Sequence, residues 1–249
     1  MSDLIPLSLY IHVPWCERKC PYCDFNSHEN KEQFNESAYI SALLDDLEQE
    51  LHYAQSRPLQ SIFIGGGTPS LFSADSYQRL LKGIEQKLPF AKDIEITLEA
   101  NPGSSEREKF QGYRTAGVNR LSIGIQSFDA DKLKKIGRIH NQQDALQAAI
   151  AANDAGFDNF NLDLMYALPQ QTLEQAISDV QTAISLQPSH LSCYQLTLEP
   201  NTTFYRQPPQ LPNSDQAWAM QKQLQKELAQ AGFMQYEVSA YAHQKRYCR

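Results

Sequence analysis

The chain has 249 residues, a net charge of −7 at pH 7, and 41% hydrophobic against 20% charged residues. That length suits one large α/β domain, and the excess of acid argues against a phosphate-backbone partner, because nucleic-acid binders carry a basic face. No apolar run is long enough to span a bilayer, and the opening Met1-Ser2-Asp3-Leu4-Ile5-Pro6 lacks a basic region followed by an apolar core; a cytoplasmic protein without a secretory signal is expected.

Strands and helices are predicted to alternate along the chain. Ser8 to Val13 is short, β-branched and aromatic, and reads as a strand. Phe34 to Tyr53 places Tyr39, Leu43, Leu44, Leu47 and Leu51 at helical spacing. Ile62 to Ile64 is a strand running into Gly65-Gly66-Gly67-Thr68-Pro69. Ser73 caps a helix to about Leu88. Glu95 to Ala100 is a strand broken by Asn101-Pro102-Gly103. Ser105 to Ala116 is a helix ended by Gly117. Arg120 to Ser127 is a strand, and Gln142 to Ala155 a helix stopped by Gly156. Phe160 to Tyr166 is a strand, and Thr172 starts a helix to Leu186. Leu191 to Leu198 is a strand, and Glu199 to Ser214 an irregular crossover. Asp215 to Ala231 is the sixth helix, and Tyr236 to Tyr241 a further strand.

Six strand–helix steps imply a mostly parallel sheet with helices on its outer face. In such folds chemistry gathers at the carboxyl ends of the strands. The cysteine loop, the glycine run, Glu99, Gln126, Asp163 and Thr197 all fall at those ends.

Three of the five cysteines lie in Cys16-Glu17-Arg18-Lys19-Cys20-Pro21-Tyr22-Cys23, a C-x₃-C-x₂-C spacing, while Cys193 and Cys248 stand alone. In a reducing compartment a tight cluster points to metal or redox chemistry rather than disulfides. Three thiolates on a short loop can wrap a cube of iron and sulfide and leave one iron open. Zinc is the alternative, with His12 or His28 as fourth ligand.

The polar residues at the strand ends each admit two readings. The glycine run is a tight turn or a place where the backbone approaches a ligand. Glu99 is a solvated acid or an acceptor for ribose hydroxyls. Gln126 and Asp163 interrupt apolar strands, so they are either structurally paired or aimed at a ligand. Arg138 is a surface residue or meets a carboxylate.

The C-x₃-C-x₂-C spacing with Tyr22 before the last cysteine is the signature of the radical S-adenosylmethionine (SAM) superfamily, and the chain resembles it. The resemblance implies a partial TIM-like (β/α)6 barrel. It also implies a [4Fe–4S] cluster on Cys16, Cys20 and Cys23, with SAM on the open iron. There an electron from the cluster breaks a carbon–sulfur bond of SAM to give a 5′-deoxyadenosyl radical. Within the superfamily the chain is similar to the oxygen-independent coproporphyrinogen III oxidase group. That likeness is carried by Leu7-Ser8-Leu9-Tyr10-Ile11-His12-Val13-Pro14, by the glycine run, by Asn119 to Phe128 and by Asp163-Leu164-Met165-Tyr166-Ala167-Leu168-Pro169. By motif position it implies SAM contacts at Tyr10, Tyr22, Gly66, Gly67, Thr68, Glu99, Gln126, Arg138, Asp163 and Thr197.

Phe25 stands where the true oxidases carry a further cysteine, and few residues precede the first strand. Both features resemble the haem chaperone branch of the group, whose members pass haem to acceptor proteins. The resemblance implies haem and an acceptor protein as partners, and an electron donor such as a flavodoxin or ferredoxin. Residues 1–232 are expected to form the core domain and 233–249 the start of a truncated C-terminal region. There His243 or Cys248 is either a haem ligand or an exposed terminal residue. The alternatives are a coproporphyrinogen III dehydrogenase and a non-catalytic zinc-binding module.

Overall fold

A computed structural model describes residues 5–30, 34–103 and 107–249. Residues 1–4 of the opening segment and the helix start expected at Ser105 lie outside the described residues. The strands are β1 (Leu7–Val13), β2 (Trp15–Cys16), β3 (His28–Glu29), β4 (Leu59–Gly66), β5 (Phe90–Ala100), β6 (Arg120–Gln126), β7 (Phe160–Tyr166), β8 (His190–Gln195), β9 (Phe233–Gln235) and β10 (Ala240–His243). The helices, numbered in chain order, are α1 (Glu36–Ala54), α2 (Ala74–Lys87), α3 (Phe110–Ala116), α4 (Ala130–Lys135), α5 (Gln142–Asp154), α6 (Leu173–Ser185), α7 (Thr203–Arg206) and α8 (Ser214–Gln230).

The main sheet has the order β1-β4-β5-β6-β7-β8-β10-β9. Its first six strands pair in parallel and follow chain order, while β10 and β9 add antiparallel. Sequential parallel strands joined by helices are the arrangement of a (β/α) barrel. Here the sheet stays open, a partial barrel.

Local chemistry sets the helix ends as the sequence reading expects. The Ser73 side chain accepts from Ser76 N–H at the start of α2, and Thr172 forms a capping box with Gln175 before α6. Gly117 and Gly156 take the left-handed conformation just beyond α3 and α5 (φ 114° and 79°). Helix α2 buries Tyr77, Leu80, Leu81 and Ile84, one stripe at i, i+3, i+4 and i+7. Each buried apolar side chain of this kind contributes about 1.5–3 kcal/mol.

The two faces of the sheet differ in chemistry. Leu121, Ile123 and Ile125 of β6 are buried in the main hydrophobic core with Ile62, Ile64, Leu98, Leu162 and Leu191. The alternate residues are polar and bond one another across strands. Arg120 donates to Thr97 (3.4 Å), Ser122 to Asp163 (2.9 Å), Asn161 to Ser122 (2.9 Å) and Ser192 to Asn161 (3.1 Å). Strand periodicity thus sends apolar side chains outward to the helices and polar ones into the barrel.

Three segments differ from expectation. Strand β8 ends at Gln195, so Thr197 lies in the loop beyond it. The single strand expected over Tyr236 to Tyr241 is a hairpin instead. β9 and β10 flank an exposed turn at Glu237 and Val238, because β10 finds its partner in β8 (Tyr241 opposite Leu191). The 199–214 crossover holds the short helix α7, capped by Thr202.

Candidate functional site

Strand β1 delivers the cysteine loop to the carboxyl edge of the sheet, beside the glycine run that ends β4. The two segments are stitched by backbone hydrogen bonds: Gly67 N–H donates to Val13 O and Thr68 N–H to Trp15 O, both 2.7 Å. A Cβ at Gly67 would lie 2.5 Å from Trp15 O, so only glycine permits this approach. The loop closes on itself through Cys23 N–H to Cys20 O (3.2 Å) and Asn30 N–H to Cys16 O (2.7 Å). Lys19 Nζ ties down Phe25 O and Ser27 O at 3.1 and 2.9 Å.

These thiols line one wall of a cavity of about 440 Å³, within the range of small-molecule and cofactor sites. Cys16, Cys20, Cys23 and Tyr22 share it with Gly66, Gly67, Thr68, Glu99, Gln126, Arg138, Asp163 and Thr197. The structure therefore gathers every expected site residue but one. Tyr10 is not among the lining residues. It is 58% exposed on the edge strand, and its hydroxyl bonds His12 Nδ1 at 2.9 Å.

Each polar group of the cavity is held from behind. Glu99 accepts from Gly66 N–H (3.1 Å); burial, with the neighbouring Asp163 charge adding to it, pushes its carboxyl up to about 7. Asp163 accepts from Ser122 and from Asn161 (2.9 and 2.8 Å); burial raises its pKa as well. Gln126 sits at φ 69°, a strained backbone for a non-glycine residue. Its Oε1 accepts from Tyr194 OH at 2.6 Å. Behind Gln126, Asp179 of α6 accepts from Ser127 OH and from Phe128 N–H, both 2.7 Å. Arg138 donates to Asn101 Oδ1 (2.6 Å), to Gly124 O (2.8 Å) and to Cys20 Sγ (3.7 Å).

Sequence reasoning misses Asn101, Tyr194 and Asp179. Asn101 also donates to Thr68 Oγ1 (2.9 Å), so it joins the glycine turn to Arg138. An Asn-Pro-Gly break carries no sign of that role.

The donor set fits an iron–sulfur cube. Cys16, Cys20 and Cys23 are free thiols facing one cavity, and soft thiolates bind one iron each at the corners of such a cluster. Among the described residues no three His, Cys, Asp or Glu side chains are grouped to grip a single metal ion. Neither histidine considered as a fourth zinc ligand lines the cavity. His12 Nε2 bonds Asn26 O at 2.8 Å, and His28 is exposed on β3. His243 and Cys248 lie at the opposite, amino end of the strands. His243 packs against the Phe233 ring, and the exposed Cys248 Sγ is 2.8 Å from Tyr236 OH. Among the described residues no helix is long and apolar enough to cross a membrane.

Comparison with known proteins agrees with this geometry. The heme chaperone HemW of Escherichia coli is 54% identical over 242 residues, covering 97% of this chain and 64% of that protein. HemW of Haemophilus influenzae is 55% identical, again over 97% of this chain and 64% of the relative. The chain thus spans slightly under two thirds of the length of these relatives. Among solved structures, the coproporphyrinogen III oxidase HemN of Escherichia coli, described as a radical SAM enzyme, superposes with a TM-score of 0.87 at 27% identity. It covers 96% of this chain and 56% of that one. The Radical SAM superfamily model matches residues 10–183, which include the cysteine loop, the glycine run and the strand ends that carry Glu99, Gln126 and Asp163. The chain belongs to the radical SAM superfamily.

Proposed function

We propose that this chain acts as a haem chaperone of the radical SAM type, binding haem and passing it to acceptor proteins in the cytoplasm. The observation that carries this reading is the 54% identity to the HemW chaperone across nearly all of the chain. Phe25 supports it, being the residue two positions after Cys23, where the true oxidases carry a cysteine. The superfamily match weighs against a simple zinc-binding module.

Cys16, Cys20 and Cys23 would hold the [4Fe–4S] cluster, which supplies the electron for reductive cleavage of SAM when both are bound. The rest of the cavity orients the ligand. Gly66 and Gly67 bring backbone close to its methionine part, and Thr68 offers a hydroxyl there. Arg138 presents a guanidinium to its carboxylate. Glu99, as a carboxylate, accepts from the ribose hydroxyls. Gln126, Asp163 and Thr197 add acceptors around the nucleoside, and Tyr22 closes the wall beside the thiols. Tyr10 lies outside the cavity wall, its hydroxyl bonded to His12. A reductant such as a flavodoxin or ferredoxin completes the scheme.

The likeness of fold to coproporphyrinogen III oxidase supports a second reading, oxidative decarboxylation of coproporphyrinogen III. One experiment separates the two. The anaerobic chain is supplied with coproporphyrinogen III, SAM and reductant, and in parallel loaded with haem and mixed with apomyoglobin. Haem transfer without protoporphyrinogen is expected, and efficient protoporphyrinogen formation would sink the chaperone reading.

A further inference from the structure

Arg138 is anchored at both ends of its side chain. The turn after α4 presses on the cysteine loop: a Cβ at Gly137, which has φ 74°, would lie 2.7 Å from Pro21 Cδ, next to Cys20. Arg138 N–H closes that turn on Leu133 O at 3.0 Å. The guanidinium is then fixed through Nη2, which donates to Asn101 Oδ1 (2.6 Å) and to Gly124 O (2.8 Å). Asn101 is itself oriented, because its Nδ2 donates to Thr68 Oγ1 at 2.9 Å. This leaves Nη1 aimed at Cys20 Sγ, 3.7 Å away.

Both acceptors of Nη2 are neutral oxygens, and among the described residues no carboxylate forms an ion pair with Arg138. Its charge is therefore not cancelled within the wall and is brought to Cys20, which binds iron as the thiolate. Among the described residues Arg138 is also the one cationic donor on the three thiols. A charge-assisted bond to a thiolate is stronger than a neutral one, and iron–sulfur potentials follow the net charge and the hydrogen bonds at the sulfurs. Taking up one electron adds one negative charge, so a cation fixed at this ligand favours the reduced form. The guanidinium has five N–H groups and uses three in these bonds, so the same side chain can also meet the SAM carboxylate.

We propose that Arg138 raises the reduction potential of the cluster through its bond to the Cys20 sulfur, with Asn101 as the positioning residue that holds it there. This role rests on the cluster reading above and deepens it. It is separate from the contact with SAM, because it acts before SAM is bound.

The test is a redox titration of the anaerobically reconstituted 249-residue chain with dithionite and mediator dyes, followed by electron paramagnetic resonance and run without SAM. Leaving SAM out removes the carboxylate contact from the measurement. Iron and sulfide content and circular dichroism report on assembly and folding. Arg138→Gln is expected to shift the reduction equilibrium about tenfold toward the oxidised cluster, about 59 mV for one electron. Asn101→Ala is expected to shift it about threefold in the same direction, because Arg138 keeps its charge but loses its shortest anchor. If Arg138→Gln assembles no cluster, Asn101→Ala decides. A wild-type potential in the variants that assemble a full cluster overturns this role but leaves the cluster reading standing. No cluster in wild type overturns both.

Discussion

Replacing Gly67 by alanine tests whether the glycine run and the cysteine loop form one unit. The new Cβ would lie 2.5 Å from Trp15 O, 2.8 Å from Trp15 C and 2.9 Å from Pro14 C, all backbone atoms that no rotamer change can clear. An ordinary contact needs the segments to part by about 0.9 Å. That stretches the bonds from Gly67 N–H to Val13 O and from Thr68 N–H to Trp15 O beyond hydrogen-bonding distance. Two lost bonds cost about 1 kcal/mol each, and overpacking adds about 1–3 kcal/mol. The expected loss in urea denaturation of the apo chain is therefore about 3–5 kcal/mol, with reduced iron and sulfide per chain after reconstitution. Gly156→Ala is the control. That glycine also has positive φ (79°) but nothing within 4 Å of its added Cβ, so the cost is about 1 kcal/mol and iron content is unchanged. Equal stability and equal cluster content in Gly67→Ala and wild type would refute the coupling.

The buried carboxylates Glu99 and Asp179 make binding and stability depend on pH. Glu99 is pushed up to about 7 by burial and by Asp163. Its ionised form accepts hydrogen bonds, so SAM affinity should rise with pH through about 7 and level off above. Glu99→Gln should flatten that profile in calorimetric titrations, and an unchanged slope would remove Glu99 from the ribose subsite. Asp179, raised to about 6 by burial, is protonated more readily in the folded chain than in the unfolded one. Its contribution to stability is complete below its unfolded value and is lost as pH rises from about 4 through about 6. The stability difference between wild type and Asp179→Asn should shift against wild type across that window, and a constant difference would contradict the assignment.

Local signals made much of this architecture legible. Ser73 and Thr172 announce helix starts, Gly117 and Gly156 announce ends, and the thiol spacing marks the cavity wall. What escaped depends on partners distant in the chain. Residues 233–243 form a hairpin because Tyr241 pairs with Leu191, a contact no local pattern encodes. Asp179 is a surface residue by type, yet it stands in the buried stripe of α6 with Ala176, Val180 and Ala183, is 4% exposed and clamps the turn behind Gln126. Asn101 is an ordinary turn former by type, and only the folded chain sets it between Thr68 and Arg138. Tyr10 shows the converse. Its place in a motif suggests a ligand contact, but the edge position of β1 leaves it exposed and bonded to His12.

Cys16, Cys20 and Cys23 are proposed to hold a cluster with one iron open to the cavity. Electron paramagnetic resonance of the anaerobically reconstituted, reduced chain, recorded with and without SAM, tests it most directly. A [4Fe–4S]⁺ signal that changes when SAM is added and is absent in Cys20→Ala is expected. A chain that carries zinc and no labile sulfide, or a cluster signal indifferent to SAM, would contradict it.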